Sequence, residues 1–223
     1  MRLSLLLLFV FGLLTFSHAQ ITIGIKGGGS IATVNETPTL ANITQTGNIS
    51  NLTGGVFFEF GDGFAAFRPE VLLQRRGYDY SLENIDSTFL EQFNYLDIPI
   101  TLRLRLGKPK FRFYLEGGAS LGFVLDGIRR ASADGNTVET DLLADGLTGN
   151  NEGESRGYDL MGIIGGGIEL KLGPGRLSFG GRYNVDLNDL YDFQDSSAPP
   201  DWQEVKWRSF DFTVGYGLTL DFF

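Results

Sequence analysis

Cysteine is absent from the 223 residues. That excludes disulfide scaffolds, thiolate zinc sites, cysteine nucleophiles and lipid attachment through a cysteine. Histidine is nearly absent: the single one, His18, lies in an N-terminal stretch laid out as Arg2, an apolar run from Leu3 to Leu14, then Ser17-His18-Ala19 before Gln20. This is the three-part layout of a secretory signal peptide, and the run is shorter than the roughly 20 apolar residues a spanning helix needs. Cleavage is expected after Ala19, so 1–19 reads as a signal peptide and 20–223 as one domain. Without His18 the mature chain has no histidine, which excludes a Ser-His-Asp triad and a histidine zinc site. Bases are scarce as well, 18 Lys and Arg against 27 Asp and Glu for a net charge of −9, so a nucleic-acid partner is not expected. After the leader no run approaches 18 apolar residues, and no transmembrane helix is expected.

What is abundant is glycine, 31 residues, together with 13% aromatics and a two-residue periodicity. Leu96, Ile98, Ile100, Leu102, Leu104 and Leu106 alternate with Asp97, Pro99, Thr101, Arg103 and Arg105, a period that strands keep and helices do not. The same alternation starts at Ile21, Val56, Phe67, Phe113, Leu160, Leu177 and Phe210, which makes eight strands of about ten residues. Short Gly/Pro turns occur at Gly61-Asp62-Gly63, Gly107-Lys108-Pro109-Lys110 and Gly173-Pro174-Gly175, each with the chemistry of a tight reversal. They alternate with long polar connections near 31–51, 79–92, 126–156 and 189–206. All short turns therefore fall at one end and all long loops at the other.

An even strand number with that asymmetry implies an all-β, eight-stranded antiparallel up-and-down transmembrane β-barrel of the outer membrane, because a closed barrel pairs every backbone N–H and C=O inside the bilayer. A soluble or periplasmic lipocalin-like barrel, holding a small apolar ligand in an aliphatic interior, shares the alternation. Charge sorting and the loop asymmetry favour the membrane. Glu59, Arg68, Glu70, Asp97, Arg103, Arg105, Arg112, Glu116, Glu169, Lys171, Arg182 and Asp186 lie on the polar faces and are expected to form an ion network filling the lumen. Strand carboxylates such as Glu70, Asp97 and Glu116 are the residues a carboxylate-only enzyme would use, but neighbouring arginines favour ion pairing, and no enzymatic activity, catalytic residue, metal or cofactor is expected.

The segment Thr213-Val214-Gly215-Tyr216-Gly217-Leu218-Thr219-Leu220, followed by Phe222 and Phe223, resembles the C-terminal assembly signal of outer-membrane proteins, with Gly215, Leu218, Leu220, Phe222 and Phe223 as its elements. Tyr95-Leu96-Asp97-Ile98-Pro99-Ile100 resembles the Tyr-Leu-acid-Ile-Pro-Leu element of the PorT-like outer-membrane β-barrel family of Bacteroidota, and Gly117-Gly118 and Gly165–Gly167 fit it. The resemblance implies an eight-stranded barrel and an outer-membrane address but little about activity; the family's founding member is linked to secretion of surface proteins. It transfers no catalytic residues.

The four long connections hold seventeen acids against four bases, an acidic rim. Tyr78, Tyr80, Tyr191, Phe193 and Trp202 are candidate anchors for a partner at the cell surface or in a secretion system. The expected partners are thus the outer-membrane bilayer, the barrel-assembly machinery and such a protein. The expected role is structural or interactive, accessory to secretion; a narrow solute channel is the remaining alternative.

Overall fold

The computed structural model describes residues 20–35, 43–82, 87–133, 136–141, 154–155, 158–187, 191–192 and 206–220. Residues 1–19 of the expected leader, Phe193, Trp202, Phe222 and Phe223 lie outside them. Eleven strands follow in chain order: β1 (Ile21–Asn35), β2 (Ile43–Phe60), β3 (Ala65–Leu82), β4 (Ser87–Lys108), β5 (Phe111–Ala133), β6 (Asn136–Asp141), β7 (Glu154–Ser155), β8 (Tyr158–Leu172), β9 (Gly175–Asp186), β10 (Tyr191–Asp192) and β11 (Lys206–Leu220). Eight of them form the wall in the order β4-β3-β2-β1-β11-β9-β8-β5, and a β4–β5 pairing closes the ring. Every neighbour is antiparallel, and first meets last along the whole of β1, from Ile21 opposite Leu220 to Asn35 opposite Lys206. Closure leaves the spanning wall no free edge.

The three short connections are where the glycines and prolines of the sequence put them. Gly61 and Gly107 open their turns at φ of 102° and 125°, a left-handed backbone that glycine adopts without steric cost. At the other end the strands run taller than the sequence pattern implies. Residues 31–35, 43–51, 79–82, 87–92 and 126–133 are strand, and β6 folds back on β5 from Asn136 opposite Ala133 to Asp141 opposite Ile128. These hairpins extend beyond the strictly alternating segments; strands outside a bilayer need not have an apolar face. A polar run such as Thr44-Gln45-Thr46-Gly47-Asn48 can pair its backbone without alternating, so periodicity reports only the wall that touches lipid.

The two faces divide as an outward aliphatic wall and an inward polar core. Ile100, Leu102, Leu104 and Leu106 are all exposed, whereas Thr101, Arg103 and Arg105 on the same strand are 1–3% exposed. Among the described residues no inner aliphatic pocket of the lipocalin kind is formed, because most of the Leu and Ile side chains that would line it point out. Among the described residues no helix is long and apolar enough to cross a membrane.

Candidate functional site

The lumen is the site, and alternation builds it: each strand delivers every second side chain inward. Toward the short-turn end, Lys26 (β1), Glu59 (β2), Arg68 and Glu70 (β3), Arg103 and Arg105 (β4), Glu116 (β5), Glu169 (β8) and Arg182 (β9) form one cluster. Glu70 accepts from Lys26 Nζ at 2.8 Å, from Arg68 Nε at 2.8 Å and from both terminal nitrogens of Arg182 at 2.7 Å. Arg103 donates to Glu116 and Glu169 at 2.7 Å each. Arg105 donates to Glu169 at 2.9 Å and also pairs with Glu59, and Arg182 pairs with Glu116. Each carboxylate meets at least two cations, as burial of full charge requires.

Aromatic rings complete the packing. The Arg68 guanidinium lies 3.5 Å from the ring centre of Phe57, and that of Arg103 lies 3.8 Å from the ring centre of Tyr114, both in cation–π range. Their space is made by facing glycines: a Cβ at Gly24 would collide with Phe57, and one at Gly180 with the Tyr114 hydroxyl.

A second network occupies the outer half. Arg76, wholly buried, donates to both oxygens of Asp97 at 2.8 and 2.7 Å and to Asp159 at 3.0 Å. It lies 4.1 Å from the ring centre of Tyr95. Beside it Asp211 accepts from Ser30 at 2.6 Å, Gln74 at 3.2 Å and Asn184 at 2.6 Å. Asp186, 3% exposed, shares this half. Between the two networks lie the buried apolar side chains of Leu72, Met161 and Ile163.

The inner mouth is crossed by the first short turn. Asp62 pairs with Arg112 of β5 at 2.8 Å and with Arg176 of β9, while Arg105 donates to the Gly61 carbonyl at 3.2 Å. In the ring order β5 and β9 flank β8, on the far side from the turn joining β2 to β3, so Asp62 reaches across the opening.

The structure therefore brings Glu59, Arg68, Glu70, Arg103, Arg105, Glu116, Glu169 and Arg182 into one cluster and puts Asp97 and Asp186 in the other. Two expected members lie elsewhere. Arg112 is at the mouth with Asp62, and Lys171, although of lumen parity, stands exposed at the last turn of the wall. Position along the strand decides both: inward parity gives burial only where neighbouring strands still surround the side chain. Tyr78 and Tyr80 belong to β3 and Tyr191 to β10, so none is in an open loop; the surroundings of these three side chains lie outside the described residues. Of the assembly segment, Gly215, Leu218 and Leu220 belong to β11, with Leu218 and Leu220 on the outer wall.

Arg76, Asp159 and Asp211 in the outer half, and Asp62 and Arg176 at the mouth, are residues that sequence reasoning left out. The doubled Arg75-Arg76 interrupts the alternation, but the parity of Arg68, Glu70, Leu72 and Gln74 carries straight on to Arg76. The carboxylates with catalytic potential, Glu70, Asp97 and Glu116, are all taken up by arginines. Among the described residues no group of three or more His, Asp or Glu could hold a metal ion.

A closed eight-stranded wall, aliphatic outside and ionic inside, is the architecture of a small outer-membrane barrel. A family model described as "Outer membrane protein beta-barrel domain" matches residues 16–192. The chain belongs to that outer-membrane β-barrel family. Solved structures similar to this outer-membrane barrel include Neisserial surface protein A, 13% identical, with TM-score 0.48 over 90% of this chain and 97% of that one. The attachment invasion locus protein Ail of Yersinia pestis is 13% identical, with TM-score 0.42 over 90% and 99%. The N-terminal β-barrel domain of Pseudomonas aeruginosa OprF is 10% identical, with TM-score 0.36 over 91% and 99%. No curated protein matches the chain.

Proposed function

We propose that this outer-membrane barrel is a structural and interaction component of the cell surface, accessory to protein secretion, and that it does not conduct solutes. The observation that carries the reading is the ion network: charged side chains from β1, β2, β3, β4, β5, β8 and β9 meet across the lumen, and eight strands leave an interior only wide enough for such side chains. A protein whose interior is committed to its own ion pairs acts through its surface. Its connections at the long-loop end carry an excess of acids, suited to a basic partner.

The PorT-like, Bacteroidota reading rests on the sequence element Tyr95–Ile100. Tyr95 and Asp97 are the residues that stack on and bind Arg76. Export with cleavage after Ala19, leaving 20–223 as the barrel, and insertion by the barrel-assembly machinery through the β11 segment belong to the same proposal.

The test combines membrane fractionation, heat-modifiable migration in detergent gels and planar-bilayer recording. Residence in the outer-membrane fraction, a folded form that migrates differently from the boiled one, and no stable conductance steps are expected. Stable steps would show a solute channel instead.

A further inference from the structure

We propose that the barrel wall between β4, β5 and β8 carries a binding site for an anionic phospholipid of the inner leaflet. The proposal requires only that the barrel stand in a bilayer with its short turns on the periplasmic side, as outer-membrane barrels do.

The first observation is a groove of about 520 Å³ on the outward face, lined by Leu106, Phe113, Leu115, Gly166 and Ile168. Its floor is Gly166, which has no side chain between neighbours that stand well out from the wall; Leu115 is 64% and Phe113 57% exposed. The gap is fixed by backbone, since a Cβ at Gly166 would come within 2.9 Å of the Tyr114 carbonyl oxygen. A lipid chain laid there exchanges contact with other lipid for contact with a complementary protein surface on several sides.

The second observation is independent of the first and concerns charge. Lys108 continues the outward row of Leu104 and Leu106, two residues and about 7 Å beyond the groove. The register sets Leu106 opposite Phe113 and Lys108 opposite Phe111. Lys110 and Lys171 are joined at the same corner, where the Lys171 backbone N–H donates to the Lys110 carbonyl at 3.0 Å. All three lysines are exposed, and none has an ion-pair partner among the described residues. The nearby carboxylates are already engaged: Asp62 holds Arg112 and Arg176, and Glu169 is buried in the inner network. On the opposite arc, at the turn ends of β1, β2, β3 and β11, the described residues include no exposed cation. The cationic corner is therefore local: Lys108 stands over the apolar groove on the outward row, with Lys110 and the inward-parity Lys171 exposed at the rim beside it, a pairing that a phosphate headgroup and its acyl chain fit together.

The full-length protein, purified in detergent and offered phosphatidylglycerol or phosphatidylcholine of the same acyl chains, is examined by native mass spectrometry. Preferential retention of phosphatidylglycerol is expected. Combining Lys108→Gln, Lys110→Gln and Lys171→Gln should reduce that preference by about fivefold per lysine. Ile168→Trp, which fills the groove, should lower retention of both lipids. Glycerol phosphate, a headgroup without chains, should not be retained. Equal retention of the two lipids by the unaltered protein, an undiminished preference in the lysine variant, or retention of glycerol phosphate as firm as that of the lipid would each overturn the site. Heat-modifiable migration confirms that each variant is folded. If a variant does not fold, the two-lipid comparison on the unaltered protein decides alone. A folded, membrane-resident protein that is indifferent to lipid charge would sink this site and leave the proposed surface role standing.

Discussion

The inner and outer halves of the lumen solve the same problem in different ways. In the inner half Lys26, Arg68, Arg103, Arg105 and Arg182 are shared among Glu59, Glu70, Glu116 and Glu169, so that Glu59 and Glu70 each meet three cations. In the outer half Arg76 is, among the described residues, the one cation holding Asp97 and Asp159, and Asp211 is satisfied by the neutral donors Ser30, Gln74 and Asn184. The inner network is redundant, whereas Asp97 and Asp159 in the outer one hang, among the described residues, on a single guanidinium. A buried charge is costly when its partner is removed, far more than when a pair is thinned.

Removal of that guanidinium should have the largest effect. Arg76→Met leaves two buried aspartates without a cation, and a loss of about 3–5 kcal/mol is expected, read as a lower urea midpoint for the folded form in detergent. Arg76→Met combined with Asp97→Asn and Asp159→Asn should recover a large part of it, because the uncompensated charges go too. Next comes Arg182→Met in the inner half. Glu70 keeps Lys26 and Arg68, and Glu116 keeps Arg103, so the loss should be smaller than for Arg76→Met in the same titration. Equal losses at the two sites would erase the contrast between the halves.

The smallest of the three effects concerns packing beneath the inner network. Gly180→Ala presses a methyl group against the Tyr114 hydroxyl, and overpacking of this kind costs about 1–3 kcal/mol, here at the low end because the obstacle is the tip of a side chain. Tyr114→Phe added to Gly180→Ala should restore the midpoint, since the next Tyr114 atom lies 3.4 Å from that Cβ position. Failure of the double substitution to recover would show that the strand backbone, rather than the hydroxyl, demands glycine.

Much of this was legible in the sequence, and the exceptions have physical causes. The run from Leu96 to Leu106 could be read because lipid on one side and ions on the other impose a strict period of two. Above the bilayer that constraint ends, and the strands continue through Thr44–Asn48 and Ser87–Gln92 without a pattern to show it. Aromatic residues mislead in the opposite direction. Phe57, Tyr95 and Tyr114 would serve a lipid wall, yet all three are buried inside against arginines. The role of Asp62 is invisible to periodicity altogether, because it depends on a turn reaching across the mouth to strands far away in sequence. Lys171 shows the limit of parity: the right face is not enough where the wall ends.

Which face of the strands meets lipid is the claim beneath all the others, and the absence of cysteine makes it directly measurable. Single cysteines at Pro99, Ile100, Thr101 and Leu102, spin-labelled in reconstituted bilayers, can be tested for collision with oxygen, which concentrates among lipid chains. Strong oxygen relaxation is expected at 100 and 102 and little at 99 and 101. The reverse alternation, or equal relaxation at all four positions, would contradict an aliphatic wall around an ionic lumen.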